Sequence, residues 1–162
     1  MRRLLYISMT LIALAIAACS TDECYDNRNA LPLADLYASG SGKTVAIDSV
    51  SMWGIGVPRD SMLLDTARNV QQFYFPFRID DSSSDFVIRY DALLRLMPKA
   101  PNDTIRFSYK PVPVFESAAC GVYYRFDDVK ISHTSFLIDS VVCPQGFIDN
   151  SQAANLKVYF RQ

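Results

Sequence analysis

The sequence lacks the residue patterns that bind nucleic acid or metal ions. Its 16 lysines and arginines are outnumbered by 17 acidic side chains, and the basic residues nowhere form a run. Because polyanions and anionic lipids bind basic protein surfaces, we expect neither as a partner. His133 is the only histidine and no C-x-x-C pair occurs, so we expect no metal site, no thioredoxin-like redox role and no cofactor.

The chain also lacks the motifs of nucleotide-binding proteins and hydrolases. The segment 40–44, Gly-Ser-Gly-Lys-Thr, ends like a phosphate-binding loop, but the first glycine of that motif would fall at Tyr37. Residues 45–47 predict a strand where the motif requires a helix. No Gly-x-Ser-x-Gly elbow accompanies His133. We therefore predict that the protein binds no nucleotide and is not an enzyme.

The apolar segment at the N-terminus is too short to cross a membrane as a helix. It runs from Leu4 to Ala18 behind two arginines, whereas a spanning helix needs about 20 residues. It ends Ile-Ala-Ala-Cys at residues 16–19, which resembles the lipobox of bacterial lipoproteins, where the cysteine becomes the lipidated N-terminus. We predict a signal peptide at residues 1–18 and attachment to membrane lipid through Cys19.

The residues after Cys19 indicate where the lipoprotein is sent. Ser20 resembles the second residue of lipoproteins forwarded to the outer membrane, and Asp22-Glu23 resembles the acidic export signal of surface-displayed Bacteroidota lipoproteins. We predict a tether at residues 19–30 and a location on the outer membrane, facing the periplasm or the cell surface.

Three cysteines remain once Cys19 carries lipid. They are Cys24, Cys120 and Cys143, so at most one disulfide forms among them and one thiol stays free. A disulfide would suit the oxidising compartment that the signal peptide predicts.

Alternation of apolar and polar residues is the main fold signal. Residues 104–110 place Ile105, Phe107 and Tyr109 on one face, as expected of a strand that packs one side on a core. Further candidate strands lie at residues 33–38, 45–53, 61–64, 73–77, 86–90, 122–126, 136–142 and 156–160, and only residues 91–97 have a helical pattern. We predict one domain at residues 31–162, an all-β antiparallel sandwich of about eight strands, Ig-like or related.

Four short segments resemble a family of small Bacteroidota lipoproteins that has no assigned function. They are the acids and Cys24 after the lipobox, Asp60-Ser61-Met62-Leu63-Leu64, the turn Ala119-Cys120-Gly121, and the C-terminal segment 155–160. The resemblance implies a β-sandwich with a Cys24–Cys120 disulfide. Cys143 departs from the family pattern, so a Cys120–Cys143 bridge is the competing arrangement. The family implies no activity.

Exposed aromatic residues are the remaining candidates for a ligand surface. We single out Trp53, which has glycines close by, and Tyr74 and Tyr123, which alternate with apolar residues of their strands. Core packing is the competing interpretation. The leading functional prediction is a non-enzymatic interaction module whose partner is another envelope protein, such as an outer-membrane β-barrel. The alternative is a glycan-binding module of a surface lipoprotein that uses these rings.

Overall fold

The computed structural model describes Cys24 and residues 31–57, 62–97, 99–150 and 153–161. The signal peptide, Cys19 and the rest of the tether lie outside these residues, as do Asp60 and Ser61 of the family-like segment, so those interpretations stay predictions. Within the described ranges, no helix is long and apolar enough to span a bilayer.

Within the part of the chain that the structure describes, nine strands form two sheets that face each other. The strands are β1 Leu33–Ala38, β2 Val50–Gly54, β3 Met62–Ala67, β4 Gln72–Tyr74, β5 Ser83–Tyr90, β6 Asn102–Ser117, β7 Gly121–His133, β8 Ile138–Val142 and β9 Leu156–Phe160. One sheet has the order β4-β1-β9-β8 and the other β3-β2-β5-β6-β7. The predicted β-sandwich is confirmed. Among the described strand pairs, β1 with β9 is the parallel one, and the rest are antiparallel.

The predicted alternation builds a core of aromatic rings between the sheets. Phe73, Phe75 and Phe77 are buried, and Phe75 contacts Phe107 with 5.1 Å between ring centroids. Strand β4 ends at Tyr74, and Phe75 adds one more backbone hydrogen bond, from its N–H to the carbonyl oxygen of Pro32 at 2.9 Å. Beyond β4, the side chains of Phe75 and Phe77 still point into the core.

A buried carboxylate joins the two sheets. Asp103, at the start of β6, is fully buried and accepts hydrogen bonds from the backbone N–H groups of residues 136–138 at 2.6, 2.8 and 2.9 Å. It also accepts one from the hydroxyl of Tyr90 at 2.7 Å. Burial, and then the charge of Asp103, raise the pKa of Tyr90 far above the usual tyrosine range. Asp103 therefore holds the chain where it crosses from the larger sheet into β8.

Strands β6 and β7 run on past the rest of their sheet. The last pair between β5 and β6 is Ser83 with Ser108, whereas β6 and β7 stay paired as far as Ser117 with Gly121. A register shift follows Ser108, and Asp128 opposite has a positive φ of 53°, which marks a β-bulge. The two strands thus form a hairpin that projects from the sandwich.

One disulfide ties the N-terminal segment to this hairpin. Cys24 and Cys120 are bonded with 5.4 Å between their Cα atoms, which is the pairing that the family resemblance implies. Cys143 is free and partly buried, so the competing Cys120–Cys143 bridge is absent. Burial raises the pKa of the Cys143 thiol.

Candidate functional site

The three aromatic residues singled out in the sequence lie on separate parts of the surface. Trp53 alternates with buried Met52 and Gly54, so its ring lies on the outer face of the five-stranded sheet. There the Arg89 guanidinium is positioned over it, 5.4 Å from the ring centroid. A cation already covers one face of this indole, so Trp53 has an intramolecular partner.

Tyr74 and Tyr123 are both remote from Trp53. Tyr74 is 54% exposed and lies in the other sheet, next to buried Phe73, so its ring is on the opposite outer face. Tyr123 pairs with Val114 near the end of the hairpin. Trp53 is in register with Thr104 of β6 through Val87 of β5. Thr104 and Val114 are ten residues apart on β6, so strand geometry places them about 33 Å from each other. No single short glycan can contact all three rings.

An apolar groove opens instead between the two edge strands β3 and β4. Its volume is about 290 Å³. The residues that line it are all uncharged: Leu31, Met52, Leu63, Leu64, Gln72, Tyr74 and Pro76. A second cavity of about 160 Å³ adjoins it and shares Leu63 and Pro76. We call the seven-residue cavity the edge groove.

Apolar side chains are exposed where the edge groove meets β3. Met62 and Leu63 are 43% and 38% exposed, although both lie in a strand. Among the described strands β3 pairs only with β2, so it is the edge of its sheet. Such an edge presents unpaired backbone groups next to an apolar surface. This combination can receive an extended peptide segment and one of its apolar side chains.

In the described part of the chain, His133 does not line the edge groove. No group of three His, Cys, Asp or Glu side chains there is close enough to hold a metal ion. The His133 ring places Nδ1 2.7 Å from the carbonyl oxygen of Thr134. The groove itself offers apolar surface, the phenol of Tyr74 and the amide of Gln72, whose Nε2 already donates a hydrogen bond to Asp35 Oδ1 at 2.7 Å.

A second apolar surface lies at the end of the β6–β7 hairpin. We call residues 111–124 the hairpin tip; Glu116 is the single charged residue among these 14. Phe115 and Val122 lie directly opposite each other and are 68% and 50% exposed. The turn between them contains Cys120, which is bonded to Cys24.

Comparison with known sequences places this architecture in a family. Residues 49–160, 112 of the 162 residues, match the profile of a family of unknown function, DUF6452. The chain belongs to DUF6452. No curated protein and no solved structure matches the chain.

The DUF6452 match contains most of both apolar surfaces. It spans β2 to β9 and hence Leu63, Tyr74 and the whole hairpin tip, but it begins after Cys24 and β1. Neither surface was among the sequence predictions. The sparse charge of residues 111–124 was the one available signal for the hairpin tip, whereas the edge groove depends on which strands lie at the sheet edges.

Proposed function

We propose that this DUF6452 protein is a non-enzymatic lipoprotein of the Bacteroidota outer membrane, anchored by lipid on Cys19, that binds another envelope protein through the edge groove. The lipobox-like segment 16–19 and the residues Ser20 and Asp22-Glu23 support the anchor and its destination. The Cys24–Cys120 disulfide supports an oxidising compartment, because such bonds persist outside the cytoplasm.

The observation that carries the interaction proposal is the uncharged edge groove beside the exposed edge of β3. Partner peptides commonly add a strand to such an edge, with backbone hydrogen bonds giving affinity and pockets giving side-chain specificity. The exposed Met62 and Leu63 would be covered by the added segment. Since no groove residue is charged, the partner segment should be extended and apolar.

The lining of the groove supports binding rather than catalysis. A reaction centre needs an acid, a base or a nucleophile with a tuned pKa, and these cluster at functional sites. Gln72 and Tyr74 are the polar side chains that line the groove; the Gln72 amide donates a hydrogen bond to the Asp35 carboxylate, and no lining residue is charged. A surface of this kind can recognise a peptide but has no group to activate one.

Site-specific crosslinking in the native host tests the groove. A photo-reactive amino acid at Leu63 should crosslink one envelope protein, and the same protein should co-purify with the wild-type chain from gently solubilised membranes. Leu63→Arg should abolish this co-purification, because a charge would enter an apolar groove. Leu96→Arg is the matched control, since Leu96 is 77% exposed and lies outside the groove.

Retention of the same partner in equal amount by Leu63→Arg would refute the groove proposal. Equal loss in both arginine variants would also refute it, because the effect would then not be specific to the groove. The anchor is tested separately: Cys19→Ala should release the folded domain from the membrane fraction, and a membrane-bound variant would contradict lipid attachment.

A further inference from the structure

The disulfide fixes how far the hairpin tip can lie from the proposed lipid anchor. Cys19 and Cys24 are five residues apart, and a fully extended chain of that length spans at most about 18 Å. The Cα atom of Cys120 lies 5.4 Å from that of Cys24, so the hairpin turn cannot be more than about 23 Å from the Cα atom of the lipidated cysteine. The exposed end of the hairpin is therefore held near the bilayer surface.

The residues held there are those that suit a lipid interface. Phe115 and Val122 expose apolar side chains next to the turn, and a membrane-facing loop gains free energy when such groups leave water. Tyr123 follows on β7, and tyrosine is enriched where headgroups meet acyl chains. Since Glu116 is the one charge of the tip, the attraction is apolar and needs no anionic lipid.

We infer that the hairpin tip inserts into the interfacial region of the bilayer, with Phe115 and Val122 among the lipid headgroups and upper acyl chains. The inference rests on the proposed lipid anchor at Cys19. The Cys24–Cys120 bond is then a positioning device: it makes insertion of the tip an intramolecular event with a high effective concentration.

This arrangement also orients the proposed binding site. Leu64 of the edge groove is in register with Met52 and, through β5, with Asp103 at the start of β6. Twelve residues of β6 separate Asp103 from Phe115, about 40 Å by strand geometry. The tip thus holds one end of the larger sheet near the membrane, while Leu64 of the groove lies level with a point about 40 Å from the tip along β6, away from the membrane.

The single tryptophan of the chain makes the inference testable by fluorescence. In a Trp53→Phe background, Phe115→Trp places the only indole of the chain at the hairpin tip. The full-length lipidated protein is reconstituted into phosphatidylcholine vesicles that contain phosphatidylcholine brominated near the top of its acyl chains. Insertion by several ångströms brings the indole within reach of the bromines, so its fluorescence should shift to the blue and fall by about half.

The matched control carries Leu96→Trp in the same background. Leu96 is 77% exposed, comparable with 68% for Phe115, but it lies in the β5–β6 connection at the opposite end of β6. Its indole should stay unquenched in the same vesicles. In the Phe115→Trp protein, adding Cys24→Ser and Cys120→Ser should reduce the quenching while the lipidated chain still floats with the vesicles, because the tip is no longer held.

The experiment distinguishes failure of tip insertion from failure of the lipid anchor at Cys19. Flotation with the vesicles, but no quenching at position 115, would overturn tip insertion and leave the lipid anchor standing. A chain that does not float would overturn both. A blue shift that depends on protein concentration and not on brominated lipid would show a second copy of the chain covering the tip, and would overturn the inference.

Discussion

Replacing Asp103 with asparagine should destabilise the sandwich, because this side chain joins β6 to the segment that crosses to the other sheet. The carboxylate is fully buried and accepts five hydrogen bonds. Two come from the hydroxyls of Tyr90 and Thr134, and three come from the backbone N–H groups of residues 136–138. The asparagine side chain would keep the size and shape of the aspartate but replace one acceptor oxygen with an NH2 group.

The magnitude follows from the donors that lose an acceptor. Phe136 donates to one carboxylate oxygen, whereas Leu137 and Ile138 donate to the other, so either amide orientation leaves at least one backbone N–H without a partner. A buried unsatisfied group costs about 1–3 kcal/mol, and the remaining bonds lose the strength that a charged acceptor gives. We expect the free energy of unfolding to fall by about 3 kcal/mol, and the melting temperature by about 10 °C.

Urea denaturation and thermal melting followed by circular dichroism measure this loss. Asp139→Asn is the matched control, because Asp139 is an exposed carboxylate in β8 whose ion pair with Arg161 spans 3.3 Å. An exposed pair of this kind contributes about 0–1 kcal/mol, so the control should stay close to the wild type. An Asp103→Asn protein within about 1 kcal/mol of the control would refute the idea that this carboxylate holds the crossing chain.

Three further predictions concern the aromatic core and the free thiol. The raised pKa of Tyr90 means that the unfolded chain releases this proton near pH 10 while the folded chain keeps it, so the free energy of unfolding should fall above about pH 10 by up to about 1.4 kcal/mol per pH unit. Tyr90→Phe should flatten that decline in urea titrations, and an unchanged slope would contradict the assignment. Iodoacetamide should alkylate Cys143 more slowly in the folded protein than in urea, because burial raises the pKa of its thiol; mass spectrometry showing equal rates would contradict this. The ring of Phe77 is stacked on Tyr109 with 4.4 Å between centroids, so Phe77→Ala should lower the free energy of unfolding by about 3–5 kcal/mol. Phe115 is exposed, so Phe115→Ala should change the melting temperature little, and equal losses in the two variants would contradict this prediction.

Much of the fold could be predicted from the sequence, because alternation reports directly which side of a strand faces the core. At residues 104–110 and 156–160 every predicted inward side chain is buried. The helical pattern at 91–97 corresponds to a short 3-10 helix, Asp91–Leu93. These elements follow from local chemistry alone, since each strand carries its own apolar face.

One observed strand is shorter than the sequence predicts, because the backbone turns within the predicted segment. The segment 45–53 reads as a single run, yet only Val50–Gly54 forms a strand. Ser49 adopts a positive φ of 52°, which interrupts the extended chain, and Ile47 makes only an isolated bridge with Val70. A serine carries no sequence signal for that conformation, because the left-handed region is favoured by glycine and asparagine.

The candidate surfaces were harder to predict because exposure depends on what the other sheet covers. Val122, Tyr124 and Phe126 share one face, as the alternation indicates, but only Phe126 is fully buried. Tyr124 still packs against the core, but the hairpin carries Val122 beyond the sandwich, so the same pattern that predicts a core face leaves an apolar side chain exposed there. Alternation predicts which side chains share a face of a strand, but it does not predict whether the other sheet covers that face.

Attachment to a membrane would account for both the exposed hairpin tip and the position of the disulfide. A projecting hairpin with Phe115 and Val122 in water would promote association between copies of the chain, and soluble domains seldom keep such a surface uncovered. The Cys24–Cys120 bond joins the turn to the N-terminal segment, and neither cysteine lies in a strand of the sandwich. Both features make physical sense together if the segment leads to a lipid anchor, because the bond then keeps the apolar tip against the one surface that covers it.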